Sequence, residues 1–403
     1  MRKLVITAAL IAAVAQFPLG ACTSVIVSGK ATPDGRPLMW KNRDTGAPEN
    51  HVRHCPATES TFAYTAIVNS GAKNPQSVWI GTNSEGFSIM NTVSYNINAI
   101  DTTGYGSNGV FMRRALEICA DMEDFEHYLD TLATPRHLNT NIGVIDARGN
   151  AAYYELGNFE RYKYDVNDPV LAPQGYLVRS NFSYNGRPIS EGKGHVRYQE
   201  ADRQMQRALA EGNITPDFFL DNLCRDYCNP AEGFDYRSPD FDGEKVVETD
   251  IIVRYRTTCS VVIQGVKPGE NPDLTTMWTI VGYPGTTVCM PVWNAAGSEG
   301  IPYMIAEGPD RHSPLSHAGF LNKGKSYSYS SEEGPDRKHF KWSVMEEYLD
   351  IVLPLEDDVL DVYDRKLERW RKKGSINLKQ LTKANSKACA LLEDYVSEAS
   401  ESE

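Results

Sequence analysis

The chain has 403 residues, carries a net charge of −12, and is 41% hydrophobic and 23% charged. This length accommodates one large domain with an appendage, and the composition excludes a disordered or fibrous chain. The acidic balance excludes a nucleic-acid phosphate backbone as partner, and the one short basic run, residues 369–373, reads as a solvated helix face.

The N-terminus reads as a targeting segment. Arg2 and Lys3 precede an apolar run over residues 4–15, broken only by Thr7, and a short exit to Ala21. The run is too short to cross a bilayer, so residues 1–21 are expected to be a signal peptide. No later segment approaches the length of a membrane span. Two processing routes compete at Leu19-Gly20-Ala21-Cys22. Cleavage after Ala21 would make Cys22 the first residue, with a free amine beside its own thiol. A lipobox reading would instead attach lipid to Cys22. Leu19 is poor for signal peptidase, but an apolar strand starts directly after the cysteine, where a lipid-anchored chain usually places a polar tether. The working expectation is therefore an exported protein, periplasmic or extracellular, with anchoring through Cys22 as the alternative.

Residues 23–28 are rich in β-branched side chains and read as a strand. Pro33-Asp34-Gly35 is turn chemistry, and residues 38–41 read as the returning arm. With the turn centred near Asp34, antiparallel pairing would bring Asp44 level with Ser24, beside Cys22. Further strands are expected over 63–69, 77–82 and 87–93. Residues 110–132 carry one helical apolar face. Residues 141–145 and 151–156 form a hairpin, 176–179 is a strand ending at Ser180-Asn181, and 196–210 is helical. Another helix starts behind a Thr215 cap and Pro216. Strands follow at 258–264, 276–281 and 287–292. From about His312 the pattern turns helical, over 341–353, 355–373 and 376–396, parted by Pro354 and Gly374. Residues 397–403 are expected to fray. Hairpin-built strands with helices in one block indicate an antiparallel α+β layered fold.

Seven cysteines remain beside Cys22, an odd number that cannot all pair, and they lack zinc-type spacing. Cys224 and Cys228 are one turn apart on an expected helix and read as packed thiols. Cys119, Cys259 and Cys289 read as small core residues.

An N-terminal cysteine is a compact nucleophile, because its own amine can serve as base. The features around it have a distinctive order. Cys22-Thr23-Ser24 opens a strand, Asp34-Gly35 turns it, and Lys41-Asn42-Arg43-Asp44 closes the hairpin. Then come Gly81-Thr82-Asn83-Ser84-Glu85-Gly86-Phe87, the Asp146-Ala147-Arg148-Gly149 turn with Glu155 behind it, and Tyr176-Leu177-Val178-Arg179-Ser180-Asn181-Phe182. Together these resemble the cysteine N-terminal-nucleophile (Ntn) hydrolases. That superfamily includes the choloylglycine hydrolase and penicillin V acylase group, the acyl-CoA:6-aminopenicillanate acyltransferase group and a family of cysteine dipeptidases. The resemblance covers about residues 22–185 and, less closely, the stretch to 293.

The resemblance implies a four-layer αββα sandwich for a catalytic domain over 22–311; the C-terminal helices lie outside it, and the change of pattern near His312 marks them as a helical extension over 312–403. It implies Cys22 as nucleophile, Asp44 orienting its amine, and Asn181 donating its side-chain N–H to an oxyanion. Asn91 falls near the family's second polar donor, with Thr92 and Ser94 as rivals. Lys41 stands where the acylase group carries Arg; it keeps the positive charge but loses the forked donor. Lys41 and Arg256 are the substrate-binding candidates. Arg254 and Arg256 would share one strand face, where a salt-bridged surface pair is the simpler reading. The implied reaction is hydrolysis of a small-molecule amide C–N bond through an acyl thioester, with no metal or organic cofactor required. Enzymes of this kind are often tetramers, so a homo-oligomer is implied. The aromatic stretches Phe182-Ser183-Tyr184 and Gly104-Tyr105-Gly106 would suit an apolar acyl group. Two alternatives stay open: a dipeptidase of the same fold, and a lipid-anchored binding or surface protein that keeps the scaffold without catalysis.

Overall fold

The computed structural model describes residues 21–71, 76–99, 106–229, 231, 233–238, 240, 245–247, 251–329 and 337–401. The expected signal segment, apart from Ala21, and Gly104-Tyr105 lie outside the described residues. Two antiparallel sheets form the centre. The first runs β10 (Tyr176–Arg179), β1 (Ala21–Val27), β2 (Leu38–Asp44), β14 (Thr257–Gln264), β15 (Thr276–Val281), β16 (Met290–Val292). The second runs in chain order through β3 (Asn50–Cys55), β4 (Tyr64–Asn69), β5 (Ile80–Asn83), β6 (Ser88–Val93), β7 (Thr140–Ile145), β8 (Ala151–Leu156) and β9 (Arg161–Asp165).

Alternation along the strands explains why the sheets stack. Ile67, Met90, Ile145 and Tyr153 of the seven-stranded sheet join Ile26 and Met39 in the core between the sheets. Their neighbours Ala66, Ile89, Val144 and Tyr154 point the other way. There they meet Phe111 and Leu116 of α1 (Asn108–Ile118) and Phe125 and Leu129 of α2 (Met122–Thr131). Strands apolar on both faces need a cover on both sides. The six-stranded sheet is covered by α3 (His195–Glu211) and α4 (Pro216–Asp221), with Trp40 of β2 packed on Phe219 at 5.8 Å between ring centres. The result is the expected αββα sandwich.

Small sheets pair β11 (Cys228–Asn229) with β12 (Phe234–Asp235), and join β13 (Lys245–Val247), β18 (Arg337–Phe340) and β17 (Tyr327–Tyr329). The C-terminal part contains α5 (Pro314–Ser326), α6 (Trp342–Asp361), α7 (Asp364–Lys373), α8 (Leu378–Ala390) and α9 (Glu393–Glu401). Val352, Val359, Leu367, Trp370 and Leu381 from these helices belong to the same apolar cluster as Val262, Ile280 and Trp293. A buried two-pronged ion pair adds to this: Arg225 donates to both oxygens of Glu356 on α6 at 2.8 and 2.7 Å.

Several elements differ from expectation. The first hairpin is centred earlier than its Asp-Gly turn, because the connection spans residues 28–37 and Val27 pairs with Leu38. Asp44 consequently lies opposite Ala21, and Cys22 opposite Arg43, three positions from the anticipated level. The single helix over 110–132 is two helices, since Asp121 caps α2 by accepting from the Asp124 N–H at 3.0 Å. Pro354 lies inside α6 rather than ending it. The missing backbone bond costs about 3 kcal/mol, and anchoring of Val352, Glu356 and Val359 on both sides of it holds the helix together. Cys224 and Cys228 share no helix: the first sits in a tight turn with its thiol 2.8 Å from Ser260 Oγ, the second on β11. Arg254 and Arg256 lie in the turn before β14, not on a strand. Strands β3 and β9 were not anticipated.

Replacing Glu356 with Ala leaves the Arg225 guanidinium buried without its partner, a change that typically costs about 3–5 kcal/mol. Chemical denaturation should show a loss of that size in a single transition shared by the sheets and the C-terminal helices. Two separated transitions would mean that the helices fold independently.

Candidate active site around Cys22

Cys22 opens an interior strand. Cys22, Ser24 and Ile26 face the second sheet; Ser24 Oγ meets Thr92 Oγ1 at 2.7 Å and accepts from the Tyr153 hydroxyl at 2.9 Å. Directly opposite residues share a face in an antiparallel pair. Arg43 on β2 therefore lies between Cys22 on β1 and Cys259 on β14, and Lys41 sits beside Ser24. The other face, carrying Thr23 and Asn42, turns to the helices.

The backbone N–H of Cys22 donates to Asn181 Oδ1 at 3.2 Å. Asn181 follows the end of β10, which pairs with β1 from Ser24 to Val27, so the strand register carries it alongside Cys22. The same Asn181 oxygen accepts from Arg197 Nη2 at 2.6 Å, and Asn181 Nδ2 donates to the Val93 carbonyl at 2.8 Å. Arg197 Nη1 also donates to the Cys22 carbonyl at 2.8 Å and to Thr23 Oγ1 at 2.7 Å.

Asp44, at the far end of β2, accepts from Arg254 Nε at 2.8 Å and from Thr257 Oγ1 at 2.7 Å, all three buried. Arg254 is thus an interior ion-pair partner and not a surface residue. Lys41 is buried and donates to the Trp79 carbonyl at 2.9 Å and to Asn91 Oδ1 at 2.8 Å. Asn91 therefore meets the Cys22 neighbourhood through the Lys41 ammonium. Of its rivals, Thr92 binds Ser24 and Ser94 Oγ accepts from Ser183 Oγ at 2.8 Å. Arg256 is half-buried in its turn, and its carbonyl accepts from the Thr45 N–H at 3.0 Å. Phe182 is buried edge-on against Tyr184 and Tyr198.

Burial pushes the Lys41 ammonium below its ordinary range, opposed by Cys22 and reinforced by Arg43. Burial lowers Arg43 likewise, with Cys259, Cys22 and Asp44 opposing. Arg197 is pushed down to about 10 by burial and by Arg254. The Tyr95 phenol is pushed up to about 12 by burial, with Arg254, Cys22, Arg197 and Asp44 within electrostatic reach. Sequence reasoning missed Arg197, Tyr95 and Thr257. Arg197 left one signal: a cation in the first turn of a helix, where the macrodipole disfavours it.

The model of the family described as acyl-coenzyme A:6-aminopenicillanic acid acyl-transferase matches residues 31–207. The resemblance to the Ntn hydrolases holds. Residues 31–207 take in the hairpin close at Asp44, the seven-stranded sheet, Asn181 and Arg197, and begin after β1 and Cys22. No curated protein matches the sequence. Among solved structures, a variant of conjugated bile acid hydrolase from Clostridium perfringens shares 11% identity, covering 68% of this chain and 92% of that chain at a TM-score of 0.40. Penicillin V acylase from Agrobacterium tumefaciens shares 12% identity, covering 68% of this chain and 86% of that one at 0.36. Likenesses this loose carry no weight beside the strand order and the site geometry.

One acidic cluster lies elsewhere. Ligand atoms of Glu200, Asp226 and Cys228 fall within 4.8 Å of one another. Protein donors already occupy them: Arg203 and Gln204 on Glu200, Gln204 and the Cys228 N–H on Asp226. Burial, then the adjacent Glu200, push the Asp226 carboxyl up to about 7. A carboxyl raised on folding stabilises the fold fully below its unfolded value of about 3.9 and loses that contribution as pH rises through about 7. Asp226→Asn should thus leave the urea midpoint nearly unchanged at pH 4 and raise it at pH 8. A variant less stable than the parent at pH 8 would contradict this assignment.

Proposed function

We propose that the chain is an exported cysteine Ntn hydrolase that cleaves a C–N amide bond in a linear amide, an N-acyl compound or a short peptide. The observation that carries this reading is the Cys22 nitrogen on Asn181 Oδ1, in a strand that also sets Cys22 on the same sheet face as Lys41 and Arg43. Once Ala21 is removed, that nitrogen is an amine. An unperturbed α-amine titrates near ~7.7–8.0, which suits a base that must take and return a proton near neutrality.

In the proposed reaction the amine accepts the thiol proton and the sulfur attacks the substrate carbonyl carbon. Negative charge moves to the carbonyl oxygen, where a side-chain N–H of Asn181 and a backbone N–H receive it. The C–N bond breaks as the ammonium of Cys22 protonates the leaving amine, and an acyl thioester remains. Water, deprotonated by the same amine, then releases the acid and restores the thiol. Asp44 acts behind this centre, tied to Arg254 and Thr257. None of these steps routes a proton or electron pair through a metal or organic cofactor.

Export rests on the N-terminal apolar segment. The lipid-anchored reading fits poorly with a Cys22 that is buried and bonded into a strand between two others. No helix among the described residues is long and apolar enough to cross a membrane.

Intact mass of the secreted protein should give a chain beginning at unmodified Cys22; a diacylglycerol adduct on that residue would exclude the free-amine mechanism. Against a panel of N-acyl amino acids, linear amides and dipeptides, Cys22→Ala should lower turnover by about 10^3-fold or more while the thermal transition stays in place. Asn181→Ala should cost about 10²–10³ in kcat. Parent-level turnover in either variant would remove that residue from the mechanism.

A further inference from the structure

Arg197 is placed where elementary electrostatics disfavours it. It is buried, it occupies the first turn of α3, and no acidic residue accompanies it in that turn. A cation there opposes the helix dipole and forgoes its hydration. The fork of its guanidinium nevertheless spans three oxygens at 2.6–2.8 Å: the Cys22 carbonyl, Thr23 Oγ1 and Asn181 Oδ1. The backbone beside it is bare for the same reason. A Cβ on Gly194, at φ +79°, would lie 2.4 Å from Arg197 Nη2 and 2.9 Å from its Cζ.

These contacts decide which way round the Asn181 carboxamide sits. Its oxygen receives Arg197 and the Cys22 nitrogen, so the NH₂ end must point away, and one of its two hydrogens goes to the Val93 carbonyl. The second hydrogen is the donor that an oxyanion role requires. Turning the amide over would set its NH₂ group against a guanidinium and an N–H donor. Lysine would substitute only in part: its ammonium keeps the charge but has no rigid fork to hold a backbone carbonyl and a carboxamide at once.

We propose that Arg197 is a positioning residue. It orients Asn181 so that one face receives the Cys22 amine and the other offers an N–H to the reacting carbonyl, and it pins the Cys22 main chain while the sulfur is acylated. This rests on the proposed amide-hydrolase reading and extends it to a residue that touches neither substrate nor sulfur.

The test is a double-mutant cycle on secreted protein, with intact mass verifying the Cys22 start. Turnover of a cleaved amide and the rate of Cys22 alkylation by iodoacetamide are both read. Arg197→Met should lower kcat by about tenfold or more with KM within about twofold, and Arg197→Lys should recover part of the loss. Combined with Asn181→Ala, Arg197→Met should add less than about twofold, because both act through one carboxamide. Should Arg197→Met fail to fold, Gly194→Ala, which displaces the guanidinium and keeps its charge, takes its place in the cycle. Losses that multiply in the double variant, or a kcat unchanged by Arg197→Met, overturn the proposal. If the parent cleaves no amide, the hydrolase reading fails, and the alkylation rates still decide whether Arg197 and Asn181 act as a unit.

Discussion

The pairing of β1 with strands on both sides is the constraint on which the site depends. Because β1 is interior, its ladder groups are taken up by β2 and β10, and Cys22 cannot slide without breaking both pairings. The same ladders deliver the other parts. β2 brings Lys41, Arg43 and Asp44, and β10 ends at Asn181. Helix α3 adds Arg197 only because it packs on the first of these strands. A two-residue-period scaffold thus assembles a site from segments more than 150 positions apart in sequence.

Electrostatics at this end of the sheet is one-sided. Lys41, Arg43, Arg197 and Arg254 are buried near Cys22, with Asp44 as the carboxylate among them. Burying cations is costly, and here part of the cost is offset by directed oxygens: carbonyls of Trp79 and Cys22, carboxamides of Asn50, Asn69, Asn91 and Asn181. Fixed positive charge at a buried site stabilises an anion developing there without reorganisation. That preference suits a thiolate or an oxyanion.

Much of the scaffold was legible because it follows local rules. β-branched runs and turn residues located the β1–β2 hairpin, the β7–β8 hairpin and β10, and Thr215 with Pro216 marked the start of α4, where Thr215 accepts from the Phe218 N–H. What escaped notice depended on tertiary context. The apolar face over 110–132 runs on, but one capping aspartate splits it. Pro354 looks like a terminator until both flanks are seen to be anchored. The hairpin register depends on the length of the whole connection, which the Asp-Gly pair alone does not reveal. Cys22, Asp44, Asn181, Asn91 and Lys41 were named from their motifs, and the fold gathers them around one strand end. Arg197 belongs to no such motif; only its contacts across the layer identify it.

The connection between β1 and β2 has a consequence for how this protein can vary. It spans residues 28–37 and joins the two strands at one level, and that level decides which side of the sheet the sulfur occupies. One inserted residue, absorbed as a slip of β1 and not within the connection, would turn Cys22 towards α3 and Thr23 towards the second sheet.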